Sequence, residues 1–257
     1  MNLSLSTGDT IALIAPARKV SREEMQPAIK ILSDWGYHVK EGAHLYASFH
    51  QFAGSDQQRL NDFQNSLDDP AVRAVLFARG GYGTVRLIDQ LDFTGFVNFP
   101  KWLIGFSDLT VIHSHITYNF KIPTLHAPMA INFPAAGNEA LAGIKSVLSG
   151  KPFTISAASH QANRYGEATG ILTGGNLSVL YSMLGSASDV DTRDKILFIE
   201  DLDEYLYHID RMMMAIKRSG KLSGLKGLII GGMSDMKDNA IPFGFSAEQI
   251  IRNHVAA

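Results

Sequence analysis

A short apolar run that turns into a helix organises this chain, and it reads Lys101-Trp-Leu-Ile-Gly-Phe-Ser-Asp-Leu-Thr-Val-Ile-His-Ser-His115. The residues from Trp102 to Phe106 have the pattern of a buried strand. Apolar residues then return at helical spacing after Thr110. The sequence therefore predicts a buried strand, a sharp turn at Ser107 and a helix.

Ser107 at this turn has two interpretations. A serine on a tight strand-to-helix turn is a common way to present a nucleophilic hydroxyl, with the next backbone N–H facing a developing oxyanion. Alternatively, Ser107 is the N-cap of the helix, with Asp108 and Thr110 completing the first turn. This stretch taken alone favours the N-cap.

Composition sets the class of protein. The chain has 257 residues, 46% of them hydrophobic and 19% charged, which is typical of globular proteins with one large or two modest domains. A net charge of −2 gives no reason to expect nucleic acid or an anionic membrane as partner. No apolar run is long enough for a membrane span, and no signal-peptide pattern occurs, so we expect a cytoplasmic protein. With zero cysteines, disulfides, thiolate metal sites and a cysteine nucleophile are excluded.

Strands and helices alternate along the chain, which predicts α/β domains with parallel sheets. In the first half we expect strands at Thr10–Pro16, Tyr37–Lys40, Ala74–Ala78, Trp102–Phe106 and Pro123–Ala127, and helices at Ser21–Trp35, Ser55–Leu67, Val85–Gln90, after Ser107 and at Leu141–Leu148. In the second half we expect strands at Ala168–Asn176, Lys195–Glu200 and Leu225–Gly232, and helices at Leu177–Leu184, Tyr205–Ser219 and Phe245–Ala257.

A polar segment rich in small residues separates these two halves. It predicts an N-terminal α/β domain over 1–150, a linker over 151–166 and a C-terminal β/α domain over 167–257. The last residues read as a helix that is cut off, so we expect the second domain to be incomplete at its C-terminus.

A glycine-rich turn, Arg79-Gly-Gly-Tyr-Gly83, follows the third predicted strand. Open α/β sheets bind ligands at this end of their strands, and glycines allow backbone amides to approach a ligand closely. The alternative is an ordinary tight turn. The turn has neither the GxGxxG spacing nor the lysine of a phosphate-binding loop, which argues against a nucleotide.

An acidic segment, Glu200-Asp-Leu-Asp-Glu204, closes the strand at Lys195–Glu200. We expect Asp201, Asp203 and Glu204 to be solvated. Glu200 directly follows four apolar strand residues, so it should be partly buried and in need of a partner, such as a histidine that it orients.

No histidine can be identified as a general base from the sequence. His113 and His115 are two residues apart, which places them on different faces of a helix and makes them a poor metal pair. His126 at a strand end is either a pocket residue or a structural histidine, and the structural interpretation is favoured. His208 lies in a predicted helix and His254 near the chain end.

Six blocks in order resemble the LD-carboxypeptidase family of serine peptidases, which includes the microcin C self-immunity peptidases. They are Ile11–Pro16, Ala78–Gly83, Ile104–Thr110, Leu125–Pro128, Thr173–Leu177 and Ile196–Asp201, and they spread over nearly the whole chain. The resemblance favours the nucleophile interpretation of Ser107. It implies an N-terminal flavodoxin-like three-layer domain and a C-terminal swivelling β/α domain.

The family uses a Ser-Glu-His triad, whose serine corresponds to Ser107 and whose glutamate corresponds to Glu200. The resemblance implies oxyanion donors at the backbone N–H groups of Asp108 and Gly81. We place the substrate pocket at Gly80, Tyr82, Asn176 and His126. The implied reaction hydrolyses the L-D amide before the terminal D-amino acid of a murein tetrapeptide, in cytoplasmic cell-wall recycling, by a homodimer without metal or cofactor.

The family's histidine lies in a Gly-His loop well after the glutamate, and no histidine of this chain matches it. Three explanations stay open: a longer parent protein, substitution by His254 or another histidine, or a peptide-binding protein without activity. We favour the first. The alternative substrate is a microcin-like acyl nucleotide, and a nucleotide-binding role for the glycine-rich turn is a distant third.

Overall fold

A computed structural model describes residues 3–255 of the chain. Met1, Asn2, Ala256 and Ala257, which the predicted domains include, lie outside the described residues. The chain divides into two compact units. The first comprises Met1–Ile116 and Phe120–Ile155, and the second comprises Thr117–Asn119 and Ser156–Ala257.

The first unit is built on a five-stranded parallel sheet. Its elements are β1 (Thr10–Ile14), α1 (Arg22–Asp34), β2 (His38–Glu41), α2 (Asp56–Asp68), β3 (Val72–Phe77), α3 (Thr94–Asn98), β4 (Trp102–Gly105), α4 (Thr110–Phe120), β5 (Leu125–His126) and α5 (Asn138–Leu148). The strand order is β2-β1-β3-β4-β5, and every pair is parallel. This is the flavodoxin-like order, so the predicted fold class of this unit is confirmed.

The second unit has a three-stranded parallel sheet in the order β6-β7-β8. Its elements are β6 (Leu172–Asn176), α6 (Leu177–Ser182), β7 (Ile196–Leu202), α7 (Leu206–Arg218), β8 (Gly227–Ser234) and α8 (Ala247–Val255). The expected α/β class is therefore confirmed here too. The domain limits at 150 and 167 stay predictions.

Continuous apolar runs explain the central strands of the first sheet. Residues 11–14 of β1 and 74–77 of β3 are buried, which is typical of parallel strands covered on both faces. Two helices begin at capping boxes: Ser21 pairs with Glu24 ahead of α1, and Ser55 pairs with Gln58 ahead of α2.

The predicted helix at Val85–Gln90 is wrong. The structure has two 3-10 turns there, Thr84–Arg86 and Ile88–Gln90. Each turn closes through a bond across three residues, such as Leu87 N–H to the Thr84 carbonyl at 3.0 Å.

Element limits also differ, and the last strand spans Gly227–Ser234 where Leu225–Gly232 was expected. The strand expected from Ala168 begins at Leu172. Residues 151–171 before it form no helix or strand and are exposed. The strand expected to end at Glu200 continues to Leu202. No helix in the described part of the chain is long and apolar enough to cross a membrane.

A buried lysine closes the C-terminal end of α2. Lys101, 1% exposed, donates hydrogen bonds to the carbonyls of Ser66, Leu67 and Asp69 at 3.0, 2.9 and 2.7 Å. Burial lowers the pKa of Lys101 to about 8. The ammonium satisfies carbonyls that a helix end leaves without partners.

We expect Lys101→Met to lower the free energy of unfolding by about 2–4 kcal/mol, because it leaves buried carbonyls without a donor. Denaturant unfolding followed by circular dichroism measures the change. Lys30→Met is the matched control, since the Lys30 side chain is 75% exposed, and it should cost less than ~0.5 kcal/mol. Equal losses in the two variants would contradict the capping role.

Candidate active site

Ser107 lies on a strained turn between β4 and α4. Its φ is +62°, in the left-handed region, and the preceding Phe106 is extended. A non-glycine residue in that region costs on the order of 1 kcal/mol or more, and such strain clusters at functional sites. The N-cap interpretation of Ser107 is wrong, because Phe106 is the N-cap of the 3-10 turn at Ser107–Leu109 and Leu109 is the N-cap of α4.

Gly105 allows the chain to fold back on β4 directly after the strand. A Cβ on Gly105 would lie 3.0 Å from Cγ of Leu109 and 3.3 Å from Cδ2 of Phe77. The carbonyl of Gly105 accepts a hydrogen bond from Nε2 of the buried His113 at 2.8 Å. Burial lowers the pKa of His113 to about 4, so this histidine is a neutral structural group below the turn.

The carboxylate of Asp108 joins the Ser107 turn to the glycine-rich turn. Its Oδ2 accepts hydrogen bonds from the backbone N–H and the Oγ1 hydroxyl of Thr84, at 2.9 and 2.7 Å. Asp108 and Thr84 are both buried. Burial raises the pKa of Asp108, while the two hydrogen bonds from Thr84 oppose that shift. The contact fixes the two turns relative to each other.

The structure brings the glycine-rich turn against Ser107. A Cβ built on Gly80 would lie 3.4 Å from the Cβ of Ser107. Gly81 and Gly83 have φ values of +113° and +147°, which side chains rarely adopt. The buried Arg59 donates to the carbonyls of Gly83 and Pro16, at 3.3 and 2.5 Å. Arg59 therefore fixes the backbone of the glycine-rich turn. The positive φ values at Gly81 and Gly83 require glycine there.

Two predicted pocket residues lie on the same unit. The Tyr82 side chain is 48% exposed, and its ring centroid lies 6.3 Å from that of Phe52. His126 pairs in register with Gly105, and its ring lies 6.0 Å from that of Phe106. Burial lowers the pKa of His126 to about 3. His126 is thus a neutral imidazole beside the strand that leads to Ser107, and its role in binding stays a prediction.

In the second unit, Glu200 and Asn176 lie side by side on neighbouring strands. Asn176 ends β6 and pairs in register with Glu200 on β7. Burial, with a smaller contribution from the negative charge of Asp201, raises the pKa of Glu200 to about 7, and a hydrogen bond from Asn176 opposes the shift. A carboxylate with this environment is suited to orienting an imidazole.

The solvated position expected for Asp201 is wrong. Asp201 is 2% exposed and accepts hydrogen bonds from Nδ2 of Asn176 and from the N–H groups of Ser178 and Leu202, each at 2.9 Å. β7 continues past Glu200 to Leu202, so Asp201 lies within the strand and not in a loop. Its carboxylate holds Asn176 in place, and Oδ1 of Asn176 caps α6 through the Val179 N–H at 3.2 Å.

Two histidines of the second unit are held by other carboxylates. Nδ1 of His208 lies 2.7 Å from Oε2 of Glu204, and Nε2 of His254 lies 2.8 Å from Oδ1 of Asp210. Glu204, in the loop before α7, is therefore partly buried against His208 and not fully solvated. Over residues 3–255, no group of three or more histidine or acidic side chains could hold a metal ion.

Sequence reasoning missed Thr84, which contacts the Ser107 turn through Asp108. A threonine directly after the glycine-rich turn was the available signal, because a hydroxyl and an N–H at one residue can bind a single carboxylate oxygen. The catalytic and binding roles of Ser107, Glu200, Gly80, Gly81 and Asn176 stay predictions.

Comparison with known proteins gives the following matches. The family model of the LD-carboxypeptidase N-terminal domain matches residues 11–127, and that of the C-terminal domain matches residues 169–257. A Bacillus subtilis protein named "Probable murein peptide carboxypeptidase" is 35% identical over 257 residues, which are 98% of this chain and 81% of that protein.

Solved structures are also similar. Muramoyltetrapeptide carboxypeptidase from Oxalobacter formigenes has a TM-score of 0.84 and 28% identity, over 94% of this chain and 82% of that chain. The microcin C7 self immunity protein MccF has a TM-score of 0.85 over 98% of this chain and 85% of that chain. Its identity of 20% limits this second likeness to the fold.

The raised pKa of Glu200 makes stability depend on pH. The folded chain disfavours ionised Glu200, whereas the unfolded chain ionises it near pH 4.5. The contribution of Glu200 to native stability therefore falls as pH rises from about 4.5 toward 7, and stays at the lower level above 7. Glu200→Gln removes the ionisation. We expect it to raise the thermal midpoint more at pH 8 than at pH 5.

Differential scanning fluorimetry at the two pH values measures this difference. Glu167→Gln is the control, because Glu167 lies in the exposed segment at 151–171 and should give no pH-dependent gain. A Glu200→Gln midpoint that shifts equally at both pH values would show that burial of the charge is not the cause.

Proposed function

Because the chain belongs to the LD-carboxypeptidase family, we propose that it is a serine carboxypeptidase that removes a terminal D-amino acid from a murein tetrapeptide. Family membership supports a carboxypeptidase. The serine mechanism, the residues that carry it and the substrate are the finer part of the proposal.

The geometry of Ser107 carries the proposal. Its φ of +62° on the turn after β4 and the approach of Gly80 to its Cβ place the hydroxyl where two turns meet. A strained strand-to-helix turn of this kind exposes a nucleophilic oxygen without neighbouring side chains in its way. Helix capping does not account for the strain, because Ser107 caps neither the 3-10 turn nor α4.

In the proposed reaction, Oγ of Ser107 attacks the carbonyl carbon of the L-D amide while its proton passes to a histidine. The oxygen of the tetrahedral intermediate accepts hydrogen bonds from the N–H groups of Asp108 and Gly81. Collapse of the intermediate breaks the C–N bond, and the histidine returns the proton to the leaving D-amino acid. Water then hydrolyses the acyl ester and regenerates the hydroxyl.

The backbone supports Asp108 as an oxyanion donor. Asp108 is the second residue of the 3-10 turn, and the first N–H groups of a helical turn have no acceptor within it. Gly81 is the second proposed donor because it follows Gly80, which lies against Ser107.

Glu200 is proposed to orient the histidine that acts as base. A carboxylate that accepts a ring N–H fixes the imidazole tautomer and stabilises the imidazolium. The pKa of about 7 raised by burial would fall once a cation forms beside it. His254 is a poor candidate for this base, since its Nε2 is already bound to Asp210 at 2.8 Å.

Murein tetrapeptide is the proposed substrate because the Oxalobacter formigenes structure is named a muramoyltetrapeptide carboxypeptidase. The Bacillus subtilis relative is named, more generally, a probable murein peptide carboxypeptidase. The alternative is a microcin C-type acyl nucleotide. Its support is the fold shared with MccF at 20% identity, which is weaker evidence for a substrate. A cytoplasmic location and a homodimer rest on the family resemblance and are parts of the same proposal.

Release of free D-alanine from a murein tetrapeptide, measured by mass spectrometry, tests the proposal. We expect Ser107→Ala to lower the rate by about 10³-fold or more, and Glu200→Gln by about 10²–10⁴-fold, because triad members act as a unit. Ser33→Ala is the matched control, since Ser33 is exposed on α1 and should leave the rate unchanged.

Aspartyl sulfamoyl adenosine, to which MccF is bound in one solved complex, serves as the second substrate. Faster hydrolysis of this compound than of the tetrapeptide would favour the acyl-nucleotide alternative. Equal D-alanine release by Ser107→Ala and the parent chain would contradict the serine mechanism. Peptide binding without any release by the folded chain would contradict catalysis by these residues alone. It would leave two of the explanations for the unmatched histidine, a longer parent protein and a peptide-binding protein.

A further inference from the structure

The side chain of Arg18 lies directly on the glycine-rich turn. A Cβ built on Gly81 would overlap Cδ of Arg18 and lie 2.6 Å from its Cγ and 3.5 Å from its Nε. The aliphatic part of Arg18 therefore covers the backbone of Gly81, and the guanidinium extends from that contact. Arg18 itself is exposed.

The backbone around Arg18 is fixed. Arg18 forms an antiparallel bridge with Phe52. On either side of it, the N–H of Ala53 donates to the carbonyl of Ala17 at 3.1 Å, and the N–H of Lys19 donates to the carbonyl of Gln51 at 3.0 Å. Only the side chain of Arg18 is left to move, so its charge remains close to Gly81.

The charge of Arg18 is not neutralised within residues 3–255, where no carboxylate lies within ion-pair distance of it. Neighbouring arginines differ. Arg59 and Arg86 both pair with Asp56, and Arg22 pairs with Glu41 at 3.3 Å. Arg18 is thus a positioned cation with no carboxylate partner among the described residues.

A carboxypeptidase must recognise the free carboxylate at the end of its substrate. Two atoms, the amide nitrogen and Cα of the leaving residue, separate that carboxylate from the carbonyl carbon under attack. With ordinary bond lengths the two carbons are about 4 Å apart. If Gly81 donates to the oxyanion, the guanidinium of Arg18 is within reach of the carboxylate, because the Arg18 side chain packs on Gly81.

We propose that Arg18 determines exopeptidase specificity by binding the α-carboxylate of the terminal D-amino acid. The guanidinium can donate two parallel hydrogen bonds to the carboxylate, a geometry that a lysine cannot reproduce. The inference rests on the proposed function, because it takes the reacting carbonyl to lie between Ser107 and Gly81. It predicts that a peptide with a blocked C-terminus is a poor ligand.

Isothermal titration calorimetry on the full chain with Ser107→Ala tests this inference without turnover. The two ligands are a murein tetrapeptide and the same peptide with a C-terminal carboxamide. We expect Arg18→Gln to weaken binding of the tetrapeptide by about 10–100-fold, the loss typical of a charge-assisted hydrogen bond. Binding of the carboxamide should change less than about twofold, and Arg18→Lys should restore part of the difference.

Lys19→Gln is the matched control, because Lys19 is the adjacent exposed cation and its Nζ lies 3.2 Å from Oγ of Ser48. Lys19→Gln should weaken binding of the two peptides slightly and to the same extent. Thermal midpoints of all variants confirm that each is folded.

The outcomes separate this inference from the proposed function. Equal effects of Arg18→Gln on the two peptides, no effect on either, or no binding of either peptide by the Ser107→Ala chain would overturn the role of Arg18. If D-alanine release is absent but the Arg18-dependent preference for the free carboxylate is present, the inference stands and the catalytic proposal fails. In the chain with Ser107 intact, Arg18→Gln should raise the KM for D-alanine release more than it lowers kcat.

Discussion

The carboxylate of Asp108 accepts two buried hydrogen bonds from Thr84, and the candidate site depends on this contact. It connects the turn after β4 to the glycine-rich turn after β3. The backbone has a positive φ at Ser107, where it is strained, and at Gly81, where glycine allows it. A buried carboxylate is costly unless its oxygens are satisfied, so the two turns stabilise each other only when they are in this arrangement. The Asp108–Thr84 pair therefore positions the proposed nucleophile turn against the proposed oxyanion turn.

Most of the fold could be predicted because its signals are local. The apolar run in β1 and the capping box at Ser21 are visible within a few residues of sequence, and each predicts its element correctly. The turn at Ser107 was located by the same means. Its choice between a helix cap and a strained nucleophile turn needed more than the local pattern, because both interpretations place a small polar residue before a helix.

The remaining features depend on residues far apart in sequence. Thr84 and Asp108 are 24 positions apart, and no local sequence pattern predicts their hydrogen bond. Asp201 was expected in solvent because acidic clusters usually are, but continuation of β7 buries it and gives it three donors. In both cases tertiary hydrogen bonding, rather than residue type, decides where a carboxylate lies. Functional and strained sites are where local rules are expected to fail.

The rate of D-alanine release by Thr84→Val most directly tests whether the Asp108–Thr84 contact maintains the site. The substitution removes one hydroxyl donor to Asp108 and keeps the shape of the side chain. Thr192→Val is its match, since Thr192 is buried in the second unit and its hydroxyl donates to the Lys221 carbonyl at 2.6 Å. Each variant should lose about 1 kcal/mol of stability. We expect Thr84→Val alone to lower kcat/KM, by at least about tenfold. Equal rates in the two folded variants would contradict it.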